Sequence, residues 1–212
     1  MSLIEIAVDL LPAGGINLAL VAIAFPLSIA IAVIAASVRI AQIPILAQAV
    51  AVYVDVVRMT PLLLHLFFVF YALPFVGFTF DAWPAAVVTF AISGAAYESE
   101  AVRAAYVSVP RPTLEAAEVL GMSRWTRLWR VTVPIAARVA IPPLANNMVE
   151  MFRATSFVAI LALPDIVLTG LNLINRLHRP AEVLLVITVF FVGIGYPASR
   201  LVRLIEKRFA IP

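Results

Sequence analysis

The densest group of side chains that could bind a charged ligand lies at helical spacing in an otherwise apolar stretch. Asn147 and Glu150 are three residues apart, and Arg153 follows after three more. Residues at this spacing share one face of an α-helix, and Thr155 and Ser156 could add hydroxyl groups nearby. Two interpretations stay open. Either Glu150 and Arg153 neutralise each other, or Arg153 binds a ligand carboxylate while Glu150 binds a cationic group.

A second group of ionisable residues occurs earlier in the chain. Glu98 and Glu100 point about 200° apart on a helix that turns ~100° per residue, so they cannot both face one cavity. Glu100 and Arg103 are three residues apart and are expected to form an internal pair. Glu98 has no local basic partner and is the more distinctive candidate for contact with a cationic substrate. For His65, alone in an apolar segment, an interhelical hydrogen bond is favoured over contact with a ligand.

The sequence offers no catalytic or metal-binding pattern. It contains no Cys, no Ser/His/Asp arrangement and no His/Asp/Glu spacing typical of a metal site. Its only lysine, Lys207, follows Glu206, whereas a phosphate-binding P-loop needs Gly-Lys-Ser/Thr. The chain is therefore predicted not to be an enzyme and to hold no cofactor. If it belongs to a pump, ATP and Mg are bound by a partner subunit.

The composition indicates that most of this chain is embedded in a lipid bilayer. Of its 212 residues, 64% are hydrophobic and 13% are charged, with a mean hydropathy of +1.06. Soluble domains carry about 45–50% apolar and about 25% charged residues. We therefore predict an all-α integral membrane protein made of a single domain over 1–212. The net charge of +3 follows from residues placed beside a membrane, so a nucleic-acid partner is not expected.

The charge-poor windows predict the helices that must position these side chains. A membrane-spanning helix needs about 20 apolar residues. The second window is expected to form one kinked helix, because Pro61 lacks a backbone donor. The five predicted spans lie near 15–38, 45–75, 82–107, 134–163 and 181–204.

The distribution of basic residues predicts the orientation of the spans. With the N-terminus outside, twelve of the fifteen Lys and Arg residues lie on or near the cytoplasmic side. Only Arg176 and Arg179 lie outside, and Arg153 lies within the membrane. Cytoplasmic loops are enriched in Lys and Arg, so the N-terminus of this multi-pass protein is predicted outside and the C-terminus inside.

The segment between the third and fourth predicted spans contains a short helix, predicted over 113–121. Thr113 can cap its start, and Glu115 suits a first turn, where the helix dipole favours an anion. Gly121 is expected to end it, and Ser123 can cap the next helix. In that next helix Trp125, Leu128 and Trp129 share one face, with arginines at positions 124, 127 and 130 on another. This pattern is typical of an amphipathic helix in the headgroup layer.

The same segment resembles the EAA motif of ABC importer permeases. The pattern is Glu115-Ala116-Ala117, three residues, Gly121, nine residues, Val131, one residue, Val133-Pro134. It departs from the family pattern only by Val for Ile and Val for Leu. In that family the helix docks in a groove of a cytoplasmic ATPase and transmits its motion. The resemblance therefore implies that Glu115, Ala116, Ala117 and Gly121 couple this chain to an ATPase.

Further stretches resemble one branch of these proteins, the polar-amino-acid uptake permeases. They are Val57-Arg58-Met59-Thr60-Pro61-Leu62-Leu63-Leu64-His65-Leu66-Phe67, Tyr97 with Glu100–Arg103, and Asn147 with Arg153-Ala154-Thr155-Ser156-Phe157. Departures from the branch include Met59 for Gly, His65 for Gln, Met148 for Glu, Arg153 for Lys and Ala154 for Asp. The substrate-binding candidates are Thr60, Glu98, Asn147, Glu150, Arg153, Thr155 and Ser156.

The leading hypothesis is the permease subunit of an ATP-driven ABC uptake transporter for a polar amino acid or related compound, with a basic one as a candidate. A second permease chain, identical or homologous, would complete the pathway, and a dimer of ATPase subunits would dock on the short helices. An extracytoplasmic binding protein would deliver the substrate against the 164–180 loop with Asp165, Arg176 and Arg179.

Two other classes of protein are alternatives to this hypothesis. An ion-coupled secondary transporter working alone could use Glu98 and Glu150 as coupling carboxylates. Such transporters are commonly built from internal repeats, and five unequal spans show none. An intramembrane enzyme would need a nucleophile with its base or a metal motif, and neither is visible in the sequence.

Overall fold

A computed structural model describes the backbone of residues 2–209 and the side chains of residues 2–207; in that part of the chain every regular element is helical. Met1 and 210–212 belong to the predicted domain but lie outside the described residues. The side chain of Arg208, one of the basic residues counted for the orientation, also lies outside them. The α-helices are α1 Leu3–Ile40, α2 Leu46–Met59, α3 Leu62–Phe67, α4 Ala82–Val107, α5 Arg111–Val119, α6 Arg124–Arg127, α7 Val133–Ala154, α8 Ile166–Leu177 and α9 Pro180–Phe209.

Helix α1 begins twelve residues before the predicted start of the first span. Ser2 and Glu5 form a capping box: the Glu5 amide donates to Ser2 Oγ at 3.3 Å, and the Ser2 amide donates to Glu5 Oε2 at 2.8 Å. Ile6 and Leu10 are fully buried in a cluster with α8 and α9 residues. At 1.5 Å per residue α1 is about 57 Å long, so its cap and tertiary contacts extend it beyond the apolar window that predicted it.

The second predicted span is broken at Pro61. Helix α2 and the segment Leu62–Val76, which begins with α3, meet at an angle of 108°. The prediction of one kinked helix over 45–75 is therefore wrong, and the crossing of the membrane by this bent segment stays a prediction. Thr60 has an extended backbone (φ −103°, ψ 133°), the conformation that a following proline favours. After α3 the chain continues as a π-helical turn, Phe68–Ala72, and a 3₁₀ turn, Leu73–Val76.

Helix α4 agrees with the predicted third span and lies at the centre of the fold, in contact with α1, α2, α3 and α7. Small residues permit this packing. A Cβ atom at Gly94 would lie 2.7 Å from Met151 Cε and 3.1 Å from Ser28 Cβ. The three helices α1, α4 and α7 therefore approach each other closely at Gly94, one turn before Glu98.

The predicted short helix is α5, which starts two residues earlier than expected. Pro110 is its N-cap, and Pro112 lies in its first turn, so Thr113 is not the cap and Glu115 lies beyond the first turn. Its end is as predicted: Gly121 has a φ of +75° and donates to Glu118 O at 2.9 Å, while Met122 N donates to Ala117 O at 3.1 Å. This pair of bonds is a Schellman motif, which favours glycine at the left-handed position. Ser123 caps α6 through the Thr126 amide at 3.2 Å, also as predicted.

The fourth predicted span, 134–163, divides into α7 and a 3₁₀ segment, Thr155–Leu161. Ala162 then adopts a left-handed conformation (φ 57°), and Asp165 caps α8 by accepting from the Leu168 amide at 2.9 Å. Helix α8 was not predicted, because the 164–180 segment was interpreted as a loop. It packs on α1 and α9.

Length and hydropathy single out α1 and Pro180–Lys207 of α9 as helices able to cross a membrane. Two bent pairs pass the same test together: α2 with the segment Leu62–Val76, and Arg124–Leu161 with α8, the latter bent by 53°. Helix α4 has 26 residues, about 39 Å at 1.5 Å per residue, but it is more polar. Its neighbours shield it, which relaxes the need for an apolar surface. The count of five spans stays a prediction.

Candidate substrate cavity and coupling surface

A cavity of about 370 Å³ lies where the α2–α3 corner, α4 and α7 meet. Four of the predicted substrate-binding residues line it: Thr60, Glu98, Asn147 and Glu150. The sharp break at Pro61 places Thr60 beside α4 and α7, and the close approach at Gly94 holds those helices together. The fold thus brings side chains from three distant parts of the sequence to one polar space.

Glu98 is the most unusual residue of this cavity. It is 0% exposed, and neither carboxylate oxygen has a hydrogen-bond partner within residues 2–207. The Ser28 hydroxyl lies near enough to interact with the carboxylate, but it donates to Phe25 O at 2.7 Å. A buried carboxylate without a partner is costly, so this position favours a bound cation or hydrogen-bond donor.

Glu150 and Arg153 form the pair that the sequence left as one of two interpretations. Arg153 NH1 lies 2.7 Å from Glu150 Oε1, and both side chains are about half exposed. Arg153 also donates to Ser199 Oγ at 3.4 Å. Glu150 lines the cavity and Arg153 does not. The structure therefore presents Arg153 as the counter-ion of a cavity carboxylate.

The structure places Thr155 and Ser156 outside the cavity lining. Thr155 is fully buried, accepts from Asn17 Nδ2 at 3.0 Å and donates to Phe152 O at 2.7 Å. Ser156 donates to Arg153 O at 3.0 Å. Both hydroxyl groups are thus engaged in local or interhelical bonds of the fold.

Asn17 joins Thr155 to the start of α8, and the sequence analysis did not predict this connection. Its amide also donates to Asp165 Oδ2 at 3.1 Å, and its carbonyl oxygen accepts from the Ile166 amide at 3.2 Å. Asp165 is 0% exposed, so its prediction as a contact for a binding protein is wrong. Arg176 is exposed, and Arg179 pairs with Glu182 at 2.7 Å. The lone amide in the apolar α1 sequence was the available signal for this cluster.

His65 makes the predicted interhelical bond and also faces the cavity. Its Nδ1 lies 3.0 Å from Ser93 Oγ, and both residues line the cavity. Tyr97 also lines the cavity, and its hydroxyl group donates to Arg58 O at 3.2 Å. The Arg58 guanidinium lies over the Tyr97 ring, with its central carbon 5.6 Å from the ring centroid. Ser93 and Tyr97 were not among the predicted site residues.

The predicted pair of Glu100 and Arg103 is confirmed at 2.7 Å. Arg39 from α1 adds a second contact to the same carboxylate at 2.7 Å. This three-residue cluster links the C-terminal ends of α1 and α4 and does not line the cavity.

The exposed side of α5 forms a separate surface. Glu115 and Ala116 are exposed, whereas Ala117 is only 4% exposed and packs against its own chain. Val119 and Leu120, 89% and 75% exposed, add an apolar tip that sequence reasoning missed. An exposed apolar pair beside a rigid helix end is suited to docking of another protein.

An apolar helical fold, a polar cavity between its helices and an exposed surface helix are the features expected of a membrane transport subunit. The chain belongs to the family described as "Binding-protein-dependent transport system inner membrane component", which matches residues 28–211. It is a permease of the ABC transporter class, a multi-pass protein of the bacterial inner membrane, and it is not a catalytic enzyme. The resemblance to permeases for polar amino acids is confirmed.

Curated relatives share this class. The chain is 39% identical over 145 residues to the L-cystine transport system permease protein of Bacillus subtilis, an alignment covering 68% of this chain and 62% of that protein. It is 32% identical to the glutamine transport system permease protein of Escherichia coli, covering 76% and 74%. It is 30% identical to the nopaline transport system permease protein of Agrobacterium fabrum, covering 96% and 89%.

A solved structure described as an amino acid ABC transporter with histidines has the same fold. Its TM-score is 0.90 at 24% identity, with 97% of this chain and 96% of that chain covered. A chain of the MetNI methionine ABC transporter in an inward-facing conformation matches with a TM-score of 0.71 at 17% identity, covering 92% and 96%. These likenesses concern the fold.

Proposed function

We propose that this chain forms, with a second permease chain, the translocation pathway of an ATP-driven uptake transporter for a polar amino acid. The second chain is identical or homologous. The cavity carries this proposal, because Thr60, Glu98, Asn147 and Glu150 meet there beside His65 and Ser93. Its volume of about 370 Å³ lies within the range of small-ligand pockets, about 300–1,000 Å³.

Helix α5 is the contact with a cytoplasmic ATPase dimer, which binds ATP and Mg. Gly121 fixes the end of this helix, and the exposed face of Glu115 and Ala116 continues into Val119 and Leu120. Closure of the ATPase dimer moves the docked helices and opens the cavity alternately to the two sides. The buried Ala117 and the left-handed Gly121 fix the shape of this surface.

Five spans with the N-terminus outside complete the arrangement in the bilayer. Helices α1 and α9, the two bent segments and α4 supply the spans, and the basic residues around α5 lie in the cytoplasm. An extracytoplasmic binding protein then meets the opposite end of the fold, where Arg176 is exposed and Asp165 is buried.

The cargo carries a positive group. Two carboxylates line the cavity, and no Lys or Arg does so within the described residues. Glu150 has Arg153 as counter-ion, whereas the Glu98 carboxylate has no hydrogen-bond partner within residues 2–207. A basic amino acid supplies the missing cation, and Asn147 can bind its polar backbone groups.

Reconstitution of the permease with its ATPase and binding protein tests this function. Labelled arginine, histidine, glutamine and glutamate are compared, and we expect ATP-dependent uptake of arginine or histidine in preference to the other two. Asn147→Ala is expected to lower the maximal rate by about threefold or more, the equivalent of one hydrogen bond, while Ser156→Ala is the matched control and leaves it unchanged. Uptake driven by an ion gradient without ATP would instead support the secondary transporter.

A further inference from the structure

A second cavity of about 510 Å³ lies between the end of α4, α5 and α6. We call it the arginine pocket, since Arg111, Arg124 and Arg127 line it together with Glu115 and Glu118. It is separate from the substrate cavity, and no residue lines both. Nothing in the transport proposal requires a concave basic site at this place.

The charges of the arginine pocket are incompletely balanced. Arg127 NH1 lies 2.6 Å from Glu118 Oε2, which neutralises that pair. Arg111 and Arg124 are exposed and form no ion pair with another described residue, and Glu115 can offset only one of them. The pocket therefore keeps a formal charge of +1, with two guanidinium groups free to bind an anion. Guanidinium groups bind phosphate oxygens through paired hydrogen bonds.

The neighbouring face of α6, and of the π-helical turn Leu128–Thr132 that continues it, is apolar and uncovered. Trp125 and Trp129 are 70% and 62% exposed. Trp125 comes directly after Arg124, and Trp129 directly after Leu128, both of which line the pocket. In α6 one residue turns the helix by about 100°, so the face that carries Trp125 lies beside the pocket face. Tryptophan is enriched at the headgroup level of membranes. The chain path agrees with that depth, because the segment joins the end of α4 to the start of α7.

From this juxtaposition we infer that the arginine pocket binds the headgroup of an anionic phospholipid, while Trp125 and Trp129 contact its acyl region. This inference rests on the proposed cytoplasmic placement of α5 in the permease. The Arg127–Glu118 pair joins the lipid site to α5, so a bound headgroup stabilises the position of the coupling helix. The anionic lipid then acts as a structural ligand of the coupling region.

Fluorescence quenching by brominated lipids tests lipid binding without requiring transport. The chain contains three Trp residues, so Trp83→Phe in the full chain leaves Trp125 and Trp129 as reporters. Vesicles contain phosphatidylcholine and phosphatidylglycerol at a fixed ratio, with bromine on one or the other. We expect stronger quenching by brominated phosphatidylglycerol. Each of Arg111→Gln and Arg124→Gln is expected to lower this preference about fivefold, the effect of one basic residue near an anionic surface.

Control variants separate the pocket from general surface charge. Arg124→Lys keeps the charge and is expected to retain most of the preference, and Arg176→Gln, at the other end of the fold, is expected to retain all of it. Equal quenching by both brominated lipids, or equal loss in Arg176→Gln, would overturn the inference. Loss of the preference on adding inorganic phosphate at constant ionic strength would also overturn it, because that result assigns the pocket to a soluble anion. Loss of the preference on adding the ATPase would do the same, because it assigns the pocket to a protein.

The same vesicles distinguish this inference from the proposed function. A retained lipid preference in a complex that fails to transport amino acids contradicts the proposed function alone. Amino-acid transport with no lipid preference contradicts the lipid site alone. In the assembled transporter we expect replacement of phosphatidylglycerol by phosphatidylcholine to lower uptake in the wild type and to have little effect in Arg111→Gln/Arg124→Gln.

Discussion

Replacing Asn17 by alanine is expected to destabilise the permease strongly, although Asn17 lies outside the substrate cavity. The side chain makes three buried hydrogen bonds, to Thr155 Oγ1 at 3.0 Å, to Asp165 Oδ2 at 3.1 Å and from the Ile166 amide at 3.2 Å. Each bond contributes about 0.5–1.5 kcal/mol, and a buried group left without a partner costs about 1–3 kcal/mol. We therefore expect Asn17→Ala to lower the free energy of unfolding by about 2–5 kcal/mol.

Thermal unfolding of the purified complex in detergent measures this effect. For a chain of this size 1 kcal/mol lowers the midpoint by about 2–4 °C, so the expected decrease is about 4–20 °C. Thr155→Val is expected to act through the same cluster, so that the double variant is less destabilised than the sum of the two. Ser156→Ala, which loses one bond to a backbone carbonyl, is the control. A decrease for Asn17→Ala no larger than that of Ser156→Ala, or strict additivity with Thr155→Val, would refute this reasoning.

Three further predictions concern the coupling helix and the orientation. Gly121→Val forces a β-branched residue into a left-handed conformation (φ +75°), which costs about 1–2 kcal/mol locally. Uptake should fall, while membrane insertion, measured by fractionation, should persist. Normal uptake in Ala116→Arg/Gly121→Val would contradict the coupling role. Val119→Asp/Leu120→Asp places charges on the apolar tip of α5 and should abolish co-purification of the ATPase. Ile43→Asp, at an exposed site in the connection between α1 and α2, is the control and should not. Undiminished co-purification of the first variant would place the contact elsewhere. A reporter fused after Pro212 should be active only in the cytoplasm, and periplasmic activity would reverse the predicted topology.

Local chemistry made several elements of this fold predictable. Gly121 ends α5 and Ser123 caps α6, because glycine and serine satisfy helix ends in ways that depend on the adjacent backbone alone. Glu100 and Arg103 pair because their helical spacing brings them together. The EAA resemblance predicted the short helix α5 and the class of protein. The family match confirms the class, and the coupling role of the helix stays a prediction.

Features that depend on tertiary contacts were harder to predict. The proline at position 61 indicated a disturbance of the helix, but packing of α2 and α3 against α4 decides that it becomes a corner of 108°. Helix α8 is held by Asn17 and by apolar contacts with α1 and α9, and neither is visible in its own sequence. Glu98, Asn147 and Glu150 were chosen from spacing, yet only the fold shows that Thr155 and Ser156 are engaged elsewhere.

The carboxylate of Glu98 provides the most direct test of the proposed function. The measurement is substrate-stimulated ATPase activity of the reconstituted complex with its binding protein, for the wild type, Glu98→Gln and the charge-conserving Glu98→Asp. The account predicts that a basic amino acid stimulates the wild type and, in part, Glu98→Asp, and that Glu98→Gln assembles normally but is no longer stimulated. Stimulation of Glu98→Gln equal to the wild type by every basic amino acid would contradict the claim that this buried carboxylate receives the cargo.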